Sequence, residues 1–487
     1  MLLSRRPFIE AAVVFVVAAA LFRWQIARWS GIPDFDGHYH LRVAYWIAHH
    51  GLWTDIPWLP FTVLGERGPD HHWLWHVALL PFTWLSDPEQ ALRWAAACNA
   101  AAVVAVVSLV MRLLGVPAAP LFALLAVSAS VLMPYRLLML RAQNAAVIFM
   151  MLAVWAMARD RNKTLAAIAF LFLESYHAAV VLAPMALIGA ASRSVLERRI
   201  VAAPLVAVAT GLAAALLASP WFPRNIEYLM FHLFFKTANP LYGEQLSALI
   251  SNEWYPPGWA GLALDSWPAH LMLAAAAGAL AWRRLRDPSF RAPLDTLIAL
   301  GVALLSLGLY WQAVRFAEYY VPFAALAAGL AARDTLSGRR YGIALLAWVL
   351  IVLALSAANL QKMRLMPADH LARIGQRLNE LGRPGDVVFN SSWTDFMALV
   401  WWADAFRYVN GLDGHYLAYR DPARFAVWLA VGAGAIDDPA TPIAAAFDAR
   451  FVVVARQHER LAEQLRRSPK AVLHLVSPEG SLFELRR

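Results

Sequence analysis

The chain has 487 residues, 60% of them hydrophobic and 15% charged, with a mean hydropathy of +0.51. Low charge with recurring apolar runs of about 20 residues excludes a water-soluble chain and predicts a polytopic α-helical membrane protein. The net charge of +9 is not a nucleic-acid signal, because the basic residues cluster between apolar runs as cytoplasmic loops do, and the single cysteine, Cys98, excludes an intrachain disulfide.

The first apolar segment follows Arg5 and Arg6 and carries no small-residue cleavage site, so it is read as a retained span. Further basic clusters stand at Arg112, at Arg159, Arg161 and Lys163, and at Arg193, Arg198 and Arg199. Arg283, Arg284 and Arg286, then Arg333, Arg339 and Arg340, complete the series. Placing all of them in the cytoplasm predicts eleven spans, near 8–28, 93–112, 117–134, 142–158, 163–176, 177–192, 199–219, 265–283, 291–311, 314–333 and 340–360. The N-terminus is then cytoplasmic and the tail extracytoplasmic, as in a protein of the bacterial inner membrane. The short run from His72 to Leu85 is read as an outer surface helix rather than a span. Residues 163–193 hold only two short helices, so the turn near Glu174 lies below the outer surface, where irregular backbone lines a polar cavity.

Directly after the first span comes Pro33-Asp34-Phe35-Asp36-Gly37-His38-Tyr39-His40. Carboxylates and imidazoles at a membrane boundary face water or a polar cleft. They hold a divalent cation, bind a charged headgroup or move protons, unless the segment is merely a solvated loop. Gly37 is read as a bend, and residues 40–50 as an amphipathic helix flat on the membrane, with Leu41, Ala44, Tyr45 and Ala48 on one side. Trp46, Trp53 and Trp58 suit the interface. Asp70, His71, His72 and His76 form a second polar cluster. His72 and His76 have ligand-like i, i+4 spacing, but with no third ligand nearby in sequence the pair reads as interfacial decoration.

The next outer loop holds Arg136 and Arg141 against the positive-inside trend. They invite an anionic partner such as a phosphate, or they snorkel. Glu174 and His177 stand at the tip of the short helix pair, where ionisable groups are functional candidates. The loop 219–267 is aromatic and rich in proline, including Pro240, and contains Asn252-Glu253-Trp254-Tyr255-Pro256-Pro257, a binding loop or lid. Arg315, Glu318 and Tyr319 lead the tenth span; Arg315 and Glu318 either pair with each other or meet a ligand.

The chain turns soluble after Lys362, dividing it into a membrane domain, 1–362 with outer loops 29–92 and 219–267, and an α/β domain, 363–487. Strands are expected at Val387–Asn390, Phe451–Val454 and Ala471–Leu475, with another before Gly411. Ligands gather at the carboxyl ends of strands in such folds, which singles out Ser391 to Phe396 and Gly411 to His415. No nucleotide or redox fingerprint and no Cys/His zinc pattern is present.

This organisation resembles the GT-C class of membrane glycosyltransferases, which use polyprenyl-linked sugars. The likeness rests on Asp34 and Asp36 after the first span, two outer loops, Glu253 in a long outer loop, and Arg315 leading a late span. In the tail, Trp393-Thr394-Asp395-Phe396 is similar to the Trp-Trp-Asp-Tyr-Gly segment of the oligosaccharyltransferase catalytic subunit. The resemblance implies that Asp36 is the principal carboxylate, as base or metal ligand, with Asp34 beside it. Glu253 becomes the mobile-loop acid, and Arg315 the donor-phosphate contact, joined by Arg136, Arg141 and Tyr319. His38, His40, Glu174, His177, Trp254, Trp393 and Asp395 become cleft or acceptor residues. A Mg2+ or Mn2+ ion on Asp34 and Asp36 is implied, completed by His38, His40, Glu174 or His177, unless no metal is essential. The implied partners are a polyprenyl-linked sugar donor, a lipid, glycan or protein acceptor, and the bilayer. The chain departs from the family in its second outer loop, where Arg136, Arg141, Gln143 and Asn144 replace an acidic motif. It departs again at Thr394, and where Met397 follows Phe396. A secondary transporter and a non-catalytic polyprenyl-lipid-binding protein remain as rival readings.

Overall fold

The computed structural model describes residues 5–52, 56–65, 68–236, 252–335, 339–363 and 365–486. Trp53 and Pro240 lie outside them. Helices occupy all eleven apolar segments, from Arg6–Ala27 to Arg339–Leu360. Among the described residues, five helical segments are long and apolar enough to cross a membrane: Arg6–Ala27, Pro88–Leu113, His177–Glu197, Leu294–Gln312 and Gly342–Leu360. Ala119–Ser128, Gln143–Ala158 and Ala203–Ala218 are apolar but shorter. Asn162–Ser175 rises only about 21 Å at 1.5 Å per residue, short of the ~30 Å of a hydrocarbon core. Its last turn therefore brings Glu174 into the interior, where it is buried.

Pro88–Leu113 is the central helix. Asp87 caps it by accepting the Glu89 and Gln90 amides, and proline fills its first turn, a position where the missing N–H costs nothing. Its buried face is largely alanine (Ala91, Ala95, Ala96, Ala97, Ala100, Ala101), so Arg6–Ala27 packs along it closely. At the predicted cytoplasmic ends, Arg112 pairs with Glu10 and Arg333 with Asp295, each at 2.8 Å.

The outer helix differs from the expectation. It runs Asp36–His50, four residues longer at its start, and Asp36 in its first turn suits the positive end of the helix dipole. Gly37 lies inside it and makes no bend. A Cβ there would sit 2.9 Å from Leu92 Cδ1 and 3.1 Å from Leu140 Cβ, so its smallness seats the helix against the body. The apolar residues of the helix pack against protein on two sides. Leu41 and Ala44 belong to the core of the helical body, while Tyr39, Val43 and Ile47 share a second core with Trp58, Val388 and Phe396–Val400.

The tail contains an open sheet covered by helices. Two short strands, β1 (Gly31–Ile32) and β2 (Met366–Pro367), pair antiparallel and join the first loop to the tail's entry. The main sheet has β3 (Val387–Asn390), β4 (Arg407–Tyr408), β5 (Phe451–Ala455), β6 (Ala471–Val476) and β7 (Gly480–Leu485), in the order β4-β3-β5-β7-β6. β3 is parallel to β4 and β5, whereas β7 runs antiparallel to β5 and β6. β7 was not among the expected strands; it completes a hairpin that covers one side of β5. Asn390 at the end of β3 donates to Asn410 O and accepts from the Val409 amide, locking the carboxyl ends of β3 and β4 together.

Candidate active site

Asp34 and Asp36 meet an arginine. Arg141 Nε lies 2.5 Å from Asp34 Oδ2 and 2.8 Å from Asp36 Oδ2. Its Nη1 lies 3.0 Å from Glu253 Oε2. Arg136 Nη2 reaches the same oxygen at 2.9 Å, and its Nε pairs with Glu318. Arg315 Nη1 stands 3.5 Å from the other Glu253 oxygen. Three guanidiniums thus face four carboxylates, and Glu253 touches all three.

Each member is placed by local structure. Asp34 follows β1, and Asp36 opens the outer helix. Arg136 sits in the short helix Met133–Leu138, and Asn144 Nδ2 donates to Leu137 O at 2.8 Å, folding the turn that returns Arg141 to the same side. Glu253 and Trp254 form a single 3-10 turn. Arg315 lies in another, just before Ala317–Thr335. Its guanidinium stacks over Trp254 at 4.1 Å and donates to the Tyr176 hydroxyl at 3.1 Å. Tyr319 is buried one turn on, packed against Phe316.

Electrostatics distinguishes the carboxylates. Burial pushes the Asp34 carboxyl up to about 6 against the lowering pull of Arg141, with Asp36 adding to the rise. Burial also raises Glu253, but Arg315, Arg141 and Arg136 outweigh it and hold that carboxyl far below its ordinary value. Asp36 keeps a half-exposed side chain, while Asp34 is buried.

Other expected residues lie elsewhere. His38 stacks on Trp401 at 4.6 Å and joins the outer helix to the tail; burial, then Arg42 and His370, hold it at about 3 and therefore neutral. Glu174 accepts from the Trp73 indole and lines, with Asp70, His71, His177 and Tyr228, a pocket that opens to solvent. Trp393 packs partly buried against the tail's core. Asp395 stands 3.9 Å from His370, whose ring stacks on Phe35 at 4.9 Å, so it reaches the Asp34–Asp36 segment through one imidazole. Glu318 meets Arg136 rather than Arg315, and Tyr176 at Arg315 was not foreseen.

Behind this network lies a histidine cluster. His40 Nδ1 is 2.8 Å from His76 Nε2, and His40, His72 and His76 are grouped closely enough to hold a metal ion, as are His71, His72 and His177. No third ligand stands near His72 and His76 in sequence; the outer helix brings His40, remote in sequence, beside them.

No family model matches the sequence, and no curated protein does. Solved structures do match. The archaeal oligosaccharyltransferase AglB from Archaeoglobus fulgidus, in complex with an inhibitory peptide and a dolichol-phosphate, aligns with a TM-score of 0.57 at 14% identity, over 98% of this chain and 74% of that one. The fold is similar to that of this archaeal oligosaccharyltransferase. The Archaeoglobus fulgidus enzyme in its apo form gives 0.56 at 15% identity, over 94% and 71% of the two chains. The form tethered by a disulfide to an acceptor peptide with an NVT sequon gives 0.54 at 14%, over 98% and 74%. The likeness to the GT-C oligosaccharyltransferase AglB is distant, nearly full-length, and one of fold.

Proposed function

We propose that this protein is a membrane glycosyltransferase that moves a sugar from a polyprenyl-phosphate or polyprenyl-diphosphate carrier to an extracytoplasmic acceptor. The observation that carries this reading is the convergence of Arg136, Arg141 and Arg315 on Glu253 beside Asp34 and Asp36, in a fold solved elsewhere with a dolichol-phosphate.

In this reading Glu253 is an internal anion at the place of the donor phosphate. The phosphate exchanges with it on the three arginines, whose forked donors suit phosphate oxygens. Trp254 and Tyr176 hold the Arg315 plane. The acceptor attacks the anomeric carbon as the carbon–phosphate oxygen bond breaks, and that electron pair leaves on the phosphate, neutralised by the arginines. The acceptor's proton passes to Asp36, the more accessible carboxylate. One displacement inverts the anomeric centre and needs no covalent enzyme intermediate.

Mg2+ or Mn2+ on Asp34 and Asp36 does not fit this arrangement. Hard divalent ions take several oxygen ligands, but both carboxylates here converge on one guanidinium nitrogen. Arg141 supplies the positive charge that offsets these two carboxylates.

The test is transfer of radiolabelled sugar from polyprenyl phosphate and diphosphate carriers by purified protein in nanodiscs. Sugar should leave the carrier with the parent protein and stay on it with Asp36→Asn. A parent protein that leaves every such carrier intact overturns the reading.

A further inference from the structure

We propose that His40, His72 and His76 form a binding site for a transition-metal ion of the zinc class, separate from the Asp34–Asp36 centre. His40 comes from the outer helix. His72 precedes the helix Trp73–Leu79, and His76 lies one turn into it. All three are buried, and their ligand atoms lie within 4.8 Å of one another.

Three observations set this trio apart from a packed aromatic cluster. First, His76 is oriented from outside. Its Nδ1 lies 2.6 Å from Asp70 Oδ2, which aims Nε2 at His40. A carboxylate on the far nitrogen is the usual outer partner of a metal-bound histidine, fixing the tautomer and raising basicity. The second Asp70 oxygen accepts the His72 amide at 3.0 Å, so one carboxylate holds two of the three ligands. Second, neither ring nitrogen of His72 has a hydrogen-bond partner among the described residues. A buried imidazole in that state lacks the bonds that offset its desolvation, and an ion supplies one. Third, the donors are all nitrogen. Imidazole sets select zinc and its neighbours, whereas carboxylate and carbonyl sets select magnesium, calcium and manganese.

The geometry needs little adjustment. Two nitrogens on a tetrahedral zinc at about 2.05 Å stand about 3.3 Å apart, against 2.8 Å between His40 and His76 now. The second trio, His71, His72 and His177, is less well built: His71 and His177 are only half-buried, and His71 Nε2 already meets the Tyr228 hydroxyl at 3.1 Å. An ion on the first trio ties the helix that begins at Asp36 to the one that begins at Trp73. Tyr176 connects this site to the arginines, its ring stacking on His72 at 5.3 Å and its hydroxyl meeting Arg315.

The experiment needs no sugar donor, so its failure is distinct from failure of the transferase reading. Chelator-stripped full-length protein in detergent is titrated with Zn2+ by calorimetry, and with Co2+ by visible absorption, which reports tetrahedral nitrogen ligation. About one equivalent should bind the parent protein. His72→Ala and His76→Ala should abolish binding, Asp70→Asn should weaken it about 10- to 100-fold, and His177→Ala should leave it unchanged. A monodisperse parent protein that binds no zinc overturns the proposal regardless of how the variants fold. So does zinc binding lost in His177→Ala and kept in His76→Ala, which would assign the ion to the other trio.

Discussion

Arg141 Nε lies 2.8 Å from an Asp36 carboxylate oxygen, and the same nitrogen lies 2.5 Å from Asp34. One side chain, remote in sequence, therefore bridges both carboxylates of the Asp34–Asp36 segment. Removing it leaves those carboxylates and Glu253 with less compensation in a largely buried place. Breaking a buried pair by deleting one partner typically costs about 3–5 kcal/mol. Arg141→Ala should lower the melting temperature by several degrees and abolish transfer. Arg141→Lys should recover much of the stability but little of the activity, because a point charge does not span the carboxylates as a fork does. Full activity in Arg141→Lys, read by carrier turnover, would remove Arg141 from the mechanism.

Asp36→Asn preserves shape and removes the base. Turnover should fall at least ~10²-fold, the lower end of acid–base contributions, with unchanged gel-filtration behaviour. Asp34→Asn should cost less, since Asp34 is buried against Arg141 and acts by positioning it. Parent-level transfer by a folded Asp36→Asn protein would contradict the assignment.

Burial holds the Asp34 carboxyl at about 6, above its ordinary 3.8. For a raised acid the folded state binds the extra proton, so the group's stabilising contribution is complete below the ordinary value and lost as pH rises through about 6. Asp34→Asn keeps the neutral form throughout. Its melting temperature relative to the parent should therefore rise between about pH 4 and pH 6 and level off above that. A difference that is flat across that window would show that Asp34 titrates elsewhere.

Arg315 is held by Trp254 and Tyr176 and contacts Glu253 at the more distant 3.5 Å, which leaves it the readiest of the three arginines to take a phosphate. Arg315→Ala should raise the apparent KM for donor about tenfold or more, with Arg315→Lys intermediate. An unchanged donor dependence in both would move the phosphate to Arg136 and Arg141 alone.

The orientation is open to labelling. In a Cys98→Ser background, cysteines at Glu89 and Asp438 should react with an impermeant maleimide from outside, and one at Arg199 should not; all three side chains are well exposed. Inner-side labelling at Asp438 would invert the tail.

The helical segments were legible because apolar runs bounded by arginines are a local pattern. Asp34, Asp36, Arg136 and Arg141 were legible because charges on the outer side of such runs are costly to keep. Their pairing was not. Glu318 stands three residues from Arg315, yet Arg136 from another loop takes it, and nothing in the local spacing distinguishes the two outcomes. The histidine trio was hidden for the same reason: His72 and His76 share a turn, but His40 arrives only when two helices pack. β7 escaped because its residues are short of strand alternation and gain their meaning from the ladder with β5. The amphipathic outer helix was recognised, but its apolar side pointed to a membrane, when a second protein core takes that place.

The ladder between Gly31–Ile32 and Met366–Pro367 ties the tail to the first loop. Its backbone is stitched to the segment just ahead of Asp34, so tightly that a Cβ at Gly31 would lie 2.2 Å from Met366 O. Severing the chain near Lys362 would leave the tail in place, held by that ladder and the shared core. Expressed alone, the tail would carry an uncovered apolar face and aggregate. Tyr39, Val43, Ile47 and Trp58 share a core with Val388 and Phe396–Val400 of the tail, so packing as well as the peptide chain joins the two parts.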